Sequence, residues 1–170
     1  MRPALILAMM SVALCTAPAL AKMTPVEQAV VLDVHNRERA AVGVAPIAWN
    51  ARLAADAERW AAHLAQINGL IHYRTAGEPE NGEGENLFMG TARAYRIDEM
   101  VGLWASEKRA FRRARRWDQD GATFEAVGHY TQMVWRTTRE VGCAIASNGS
   151  DDFLVCRYAQ PGNMIGQKPF

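Results

Sequence analysis

The chain has 170 residues, 49% of them hydrophobic and 22% charged, enough to bury one substantial core and too few for a second domain. A formal net charge of +1 provides no strong field, so neither nucleic acid nor an anionic membrane is the expected partner.

The N-terminus reads as an export signal. Arg2 supplies a positive start, Ala4 to Leu14 make a short apolar segment, and "APALA" ending at Ala21 has the small residues that signal peptidase selects. Residues 1–21 are therefore expected to be a signal peptide, cleaved after Ala21, and residues 22–170 a single domain that is secreted or periplasmic. The apolar run is too short to span a membrane comfortably. Leu14, where a lipoprotein signal needs a small residue, argues against lipidation of Cys15.

Three helices are predicted next. The first starts at Thr24 as N-cap with Pro25 in the first turn, runs to about Ala41 and ends at Gly43. In the second, Leu53, Ala57, Trp60, Ala61, Leu64 and Ile67 recur at helical spacing behind a capping Asn50, and Gly69 closes the run. The third runs from about Ile97 to Arg113, with Met100, Val101, Trp104 and Phe111 as its buried stripe. Between the second and third lies the glycine-rich "AGEPENGEGENLFMG", longer than packing requires and so either mobile or functional. Its end reads as a short extended piece.

"GHYTQMVW", Gly128 to Trp135, is aromatic, β-branched and apolar enough from Tyr130 onward to predict a strand with His129 half-buried at its start. "REVGCAIAS" and "DDFLVCRYA" read as two further strands joined by "NGSD". If Gly149 and Ser150 form the centre of that turn, antiparallel pairing sets Cys143 directly opposite Cys156. Once the signal is removed these are the two remaining cysteines, in an oxidising setting that favours a disulfide. Two thiols on one hairpin lack the other ligands of a structural zinc.

Four side chains stand out chemically. Glu107, three residues after Trp104 and four before Phe111, shares the face of the apolar stripe, so its carboxylate must be paired, protonated or bound to a cation, or must reach water at the stripe's edge. His129 needs a hydrogen-bond partner, a metal or a reaction to perform. Glu85 and His72 each border apolar runs. His63 reads as solvent-facing, and the basic run Arg112 to Arg116 as a solvated helix end.

Together, "VHNRERAAVGVAPIAWN", "GENL", the W-A-S-E-K run, "GHYTQMVWRTTREVGCA" and "CRYAQPGNMIGQKPF" resemble the CAP superfamily of cysteine-rich secretory proteins, antigen five and pathogenesis-related class one proteins. The resemblance covers essentially the whole mature chain. It implies an α+β fold, a three-layer α-β-α sandwich with a central antiparallel sheet. It also implies a cleft lined by two histidines and two glutamates, matched here by His72, Glu85, Glu107 and His129. Such a tetrad suits zinc or another divalent cation. The resemblance makes His35 a structural residue. It carries sterol binding over poorly, because "RRARRWDQDGATFEAVG" is more charged than a sterol-binding loop.

Three functions follow as expectations: a non-catalytic binding module whose cleft holds a metal and a lipid-like or peptide ligand, a metal-assisted hydrolase using Glu85, Glu107 and His129, or a structural interaction domain. The partner is a lipid, another apolar molecule or an envelope or host component, and the expected oligomeric state is a monomer. Fold cannot choose among these.

Overall fold

A computed structural model describes residues 19–73, 82–114, 121–164 and 166–170. The expected signal peptide lies outside the described residues as far as residue 18. Ten elements follow in chain order: β1 (Ala19–Ala21), α1 (Pro25–Ala40), β2 (Ala48–Trp49), α2 (Ala51–Ile67), β3 (Gly84–Thr91), α3 (Ile97–Ser106), α4 (Lys108–Arg113), α5 (Gly121–Met133), β4 (Glu140–Ser147) and β5 (Asp151–Ala159). The sheet order is β1-β4-β5-β3, antiparallel throughout, with the two-residue β2 added parallel to β4. Cleavage after Ala21 would remove β1.

Residue alternation on β4 and β5 builds two cores, one on each face of the sheet. Cys143, Leu154, Cys156 and Tyr158 face Val31 and Val34 of α1, Met100 and Trp104 of α3, and Tyr130 and Met133 of α5. Ala144, Ala146, Phe153 and Val155 face Ala57, Trp60, Ala61 and Leu64 of α2. Helices therefore cover both faces, the expected three layers.

The helix ends follow their capping residues. Thr24 and Glu27 form a reciprocal capping box ahead of Pro25. Asn50 accepts from the N–H groups of Arg52 and Leu53. The second helix ends one residue earlier than expected, on a left-handed Asn68 rather than on Gly69, because asparagine tolerates that conformation. Ile67, expected in the stripe, is 45% exposed.

The hairpin matches the expected register. Asn148 N–H donates to the Asp151 carbonyl, Gly149 carries a φ of 96°, and Cys143 pairs with Cys156. The two sulfurs are bonded, with both residues buried. Closing a loop of 13 residues' separation removes about 3 kcal/mol of unfolded-chain entropy.

Two expectations are corrected. "GHYTQM" is not a strand: it forms the last turns of α5. Val127, Tyr130, Thr131 and Val134 are buried at helical spacing, and packing of that face against α3 and the sheet overrides the strand preference of the residue types. The third helix is not continuous either. It breaks at Glu107, whose N–H reaches back only to Trp104 at 3.3 Å while its carbonyl starts α4 by accepting from Phe111.

His35 of α1 is fully buried. Its Nδ1 donates to the Val31 carbonyl at 2.8 Å, which leaves Nε2 to accept from the Tyr158 hydroxyl at 2.9 Å. Asn86 Nδ2 donates both to that hydroxyl and to the His129 carbonyl, each at 3.1 Å, so one polar chain ties α1 through the sheet to α5. Burial, with a smaller push from Arg39, lowers the His35 pKa from 6.5 to about 4. The folded value lies below the unfolded one, so this contribution is complete above pH 6.5 and is lost as pH falls toward 4. Roughly 2 kcal/mol should be gone by pH 5. Denaturant titrations at pH 7 and pH 5 should show a smaller difference for His35→Gln, which has no imidazole to protonate.

Candidate functional site

The four expected site residues form two clamps of the same construction. In the first, after α2, His72 Nδ1 donates to Glu85 Oε1 at 2.7 Å, and the N–H of the following Tyr73 donates to the same oxygen at 3.1 Å. In the second, His129 Nδ1 donates to Glu107 Oε1 at 2.6 Å, and the N–H of the following Tyr130 donates to Oε2 at 3.0 Å. Each unit is a His-Tyr dipeptide gripped by one carboxylate. The break between α3 and α4 places Glu107 where it can meet α5, and the first position of β3 after Gly84 carries Glu85. Of the alternatives open for Glu107, pairing is the outcome, with an imidazole rather than an arginine.

The clamps differ in exposure. The His72 side chain is 55% exposed and His129 32%. The His129 ring lies nearly parallel to Trp104, with centroids 5.9 Å apart and planes at 13°, while the Trp104 indole N–H is held by the Leu87 carbonyl. In both imidazoles Nδ1 is committed and Nε2 has no protein partner among the described residues. No group of three or more His, Cys, Asp or Glu side chains is arranged to hold a metal ion among the described residues. The polar pattern is two pairs.

A cleft of about 280 Å³ opens beside the first clamp, lined by His72, Tyr73, Glu83, Glu85, Phe124, Gln132, Arg157 and Asn163 with the backbone of Gly84 and Gly162. His129 sits one helical turn before Gln132. Gln132 is the floor: it accepts from Gly162 N–H at 2.8 Å and donates to the Thr138 hydroxyl at 3.2 Å. A Cβ on Gly84 would strike the Gln132 amide and lie 3.2 Å from Pro161 Cα, so glycine there is a close-approach requirement. Asn163, at a φ of 55°, bridges the Thr131 hydroxyl and the Gly128 carbonyl and pins the C-terminal loop to α5.

Sequence reading missed Glu83 and Arg157. Both are 2% exposed at the side chain, and Arg157 lies between Glu85 and Glu83, at 3.3 and 3.8 Å, with its guanidinium 4.4 Å above the Tyr73 ring. Arg52 closes the outer side with a 2.7 Å contact to Glu83. Burial pushes the Glu83 carboxyl up, the hydrogen bond from Arg52 draws it down, and the neighbouring Asp56 carboxylate adds to the rise. Strand alternation puts Arg157 on the same face as Phe153 and Val155, where a charge must be paired. That was the available signal.

His63 stacks on Trp60 at 4.7 Å and takes no part in either clamp. Arg112 and Arg113 are exposed at the end of α4, as expected of a solvated helix end, and Arg115 and Arg116 lie outside the described residues. Among the described residues no helix is long and apolar enough to cross a membrane.

Known proteins share this sequence pattern and fold. The profile of the cysteine-rich secretory protein family (CAP) matches residues 32–158. Pathogenesis-related protein 1B of Nicotiana tabacum is 37% identical over 144 residues, 82% of this chain and 78% of that protein. Pathogenesis-related protein PRMS of Zea mays is 37% identical over 142 residues, 82% of this chain and 80% of that protein. Among solved structures, Na-ASP-1 superposes with a TM-score of 0.73 at 22% identity, over 87% of this chain and 42% of that one. NaASP2 with Zn2+ superposes with a TM-score of 0.71 at 23% identity, over 88% and 87%. At such identities the structures establish the fold, while the profile and the plant relatives establish descent: the chain belongs to the cysteine-rich secretory protein family.

Proposed function

We propose that this chain is an exported, non-catalytic binding protein. Its two clamped histidines would hold a divalent metal at the rim of the cleft, beside an apolar or peptide ligand. The observation that carries this reading is the duplicated clamp. A carboxylate on Nδ1 fixes the tautomer and leaves Nε2 as the free donor, which is the outer-shell arrangement of zinc-binding histidines. His72 and His129 would be the direct ligands through Nε2, with Glu85 and Glu107 orienting them from behind. Zinc suits imidazole donors. Export is supported by the N-terminal segment, and an apolar ligand by Phe124 and Met164, 37% and 45% exposed, the former lining the cleft.

Metal binding to the folded state alone stabilises it by mass action. Zinc titrated into the mature protein should raise its melting temperature. His129→Ala and Glu107→Gln should each abolish the rise, and His63→Ala should retain it. Failure of zinc, calcium and magnesium alike to shift the wild-type protein would end the metal reading. Native mass spectrometry of the same sample would show co-purified lipid. Turnover of a peptide or ester panel that depends on Glu85, Glu107 and His129 would instead support the hydrolase reading.

A further inference from the structure

The two clamps differ in one contact. Glu107 uses both oxygens inside its clamp, one on His129 and one on Tyr130 N–H. Glu85 uses a single oxygen for both His72 and Tyr73 N–H. Its other oxygen, Oε2, is out of contact with solvent and without a hydrogen-bond partner, as is Arg157 Nε, and the two face each other at 3.3 Å. They sit on directly paired residues of β3 and β5, Glu85 opposite Arg157. No cation is paired with Glu107 among the described residues, where Trp104 backs the imidazole instead.

We propose that Arg157 is a positioning residue for His72, acting through Glu85. A carboxylate that turns about its terminal bond can offer either oxygen to a neighbour, and this torsion is broad and soft. A buried guanidinium set against Oε2 makes one orientation the favoured one, the orientation in which Oε1 faces the imidazole. Arg157 is itself held on the far side by Glu83 and from above by the Tyr73 ring, so it cannot follow a turning carboxylate. His72, more than half exposed, has little packing of its own to orient it. The His129 ring is oriented by the Trp104 stack and has no need of the device. The consequence for metal affinity rests on the reading of His72 as a ligand; the positioning itself does not.

The test reads the imidazoles directly. In metal-free, 15N-labelled protein, long-range histidine spectra should show His72 as a single tautomer protonated at Nδ1. Arg157→Gln should convert His72 to a mixture of the two tautomers while His129 keeps its wild-type pattern, which also reports an intact fold. Arg157→Lys should restore the tautomer in part. Glu83→Gln, which loosens the guanidinium on its far side but keeps its contact with Glu85, should disturb His72 less than Arg157→Gln does. Zinc should then require about tenfold higher concentration to stabilise Arg157→Gln, the usual effect of removing an outer-shell partner. A folded Arg157→Gln protein with His72 still in one Nδ1-protonated form overturns the proposal, as does an equal loss in Glu83→Gln. Should Arg157→Gln not fold, Arg157→Met, which keeps an unbranched side chain without the charge, decides, since an unchanged His72 tautomer there overturns it too. A tautomer lost in a protein that never binds zinc would sustain the positioning and remove the metal reading.

Discussion

Replacing Arg39 with alanine should cost the fold roughly 4 kcal/mol or more, a larger loss than removal of any ion pair on the surface. Arg39 is fully buried in α1, and its guanidinium donates to four backbone carbonyls: Ala45 at 2.7 Å, Met133 at 3.0 Å, Trp135 at 3.0 Å and Thr138 at 2.7 Å. Two of these lie where α5 ends and one in the turn that leads to β4. The C-terminal carbonyls of a helix have no partner within it, and here Met133, Trp135 and Thr138 are buried, so water is a poor replacement for the missing donor. Each orphaned carbonyl costs about 1–3 kcal/mol, although that of Trp135 keeps the Thr138 N–H at 3.2 Å. Burial, with help from Arg139, lowers the Arg39 pKa to about 10, which leaves it charged at neutral pH. Arg39→Lys should recover only part of the loss, because an ammonium cannot reach four acceptors spread around a planar fork. Urea denaturation of the three proteins gives the ranking. A midpoint for Arg39→Ala close to that of the wild type would show that the connection finds other donors.

Arg39 also marks the limit of what could be read before the structure. The hairpin register was legible because a tight turn with two central residues admits one antiparallel alignment, and the cysteines occupy paired positions in it. The first two helices were legible because their caps are local, Thr24 with Glu27 and Asn50 with Leu53. What failed depends on partners distant in sequence. The aromatic and β-branched run from Tyr130 to Trp135 is helical as far as Met133 because α3 and the sheet cover its buried face. The four clamp residues stood out singly and were grouped by family resemblance, while their pairing into two units was not legible, since 13 residues separate His72 from Glu85 and 22 separate Glu107 from His129. Arg39 was not singled out, because three of the carbonyls it holds lie 94 to 99 residues further along the chain. Arg157 was open to detection by alternation alone, on a strand whose neighbours on that face are Phe153 and Val155.

Glycine substitutions should show how closely the α2 layer rests on the sheet. A Cβ at Gly142 of β4 would overlap the Ala54 amide nitrogen and lie 2.5 Å from the Asn50 carbonyl oxygen and 2.6 Å from the Leu53 carbonyl carbon. All three are backbone atoms of the first turn of α2, so no side chain can rotate away. The turn is fixed from the other direction as well. Asn50 N–H donates to the Val141 carbonyl at 2.9 Å, and β2 is paired to β4 immediately before it. Relieving the overlap means lifting α2 from the sheet and loosening Leu53, Ala57 and Trp60 together. Overpacking a core usually costs about 1–3 kcal/mol, and with backbone on both sides Gly142→Ala should reach at least roughly 3 kcal/mol, or about 10 °C in melting temperature for a chain of this size. Gly102 of α3 provides the control. Nothing lies within 4 Å of its added Cβ, and alanine in mid-helix is favoured over glycine by about 1 kcal/mol, so Gly102→Ala should raise the melting temperature by a few degrees. The same methyl thus carries opposite signs at the two positions. Thermal denaturation of both variants checks this, and a Gly142→Ala protein that melts with the wild type would mean that the α2 layer can shift on the sheet at little cost.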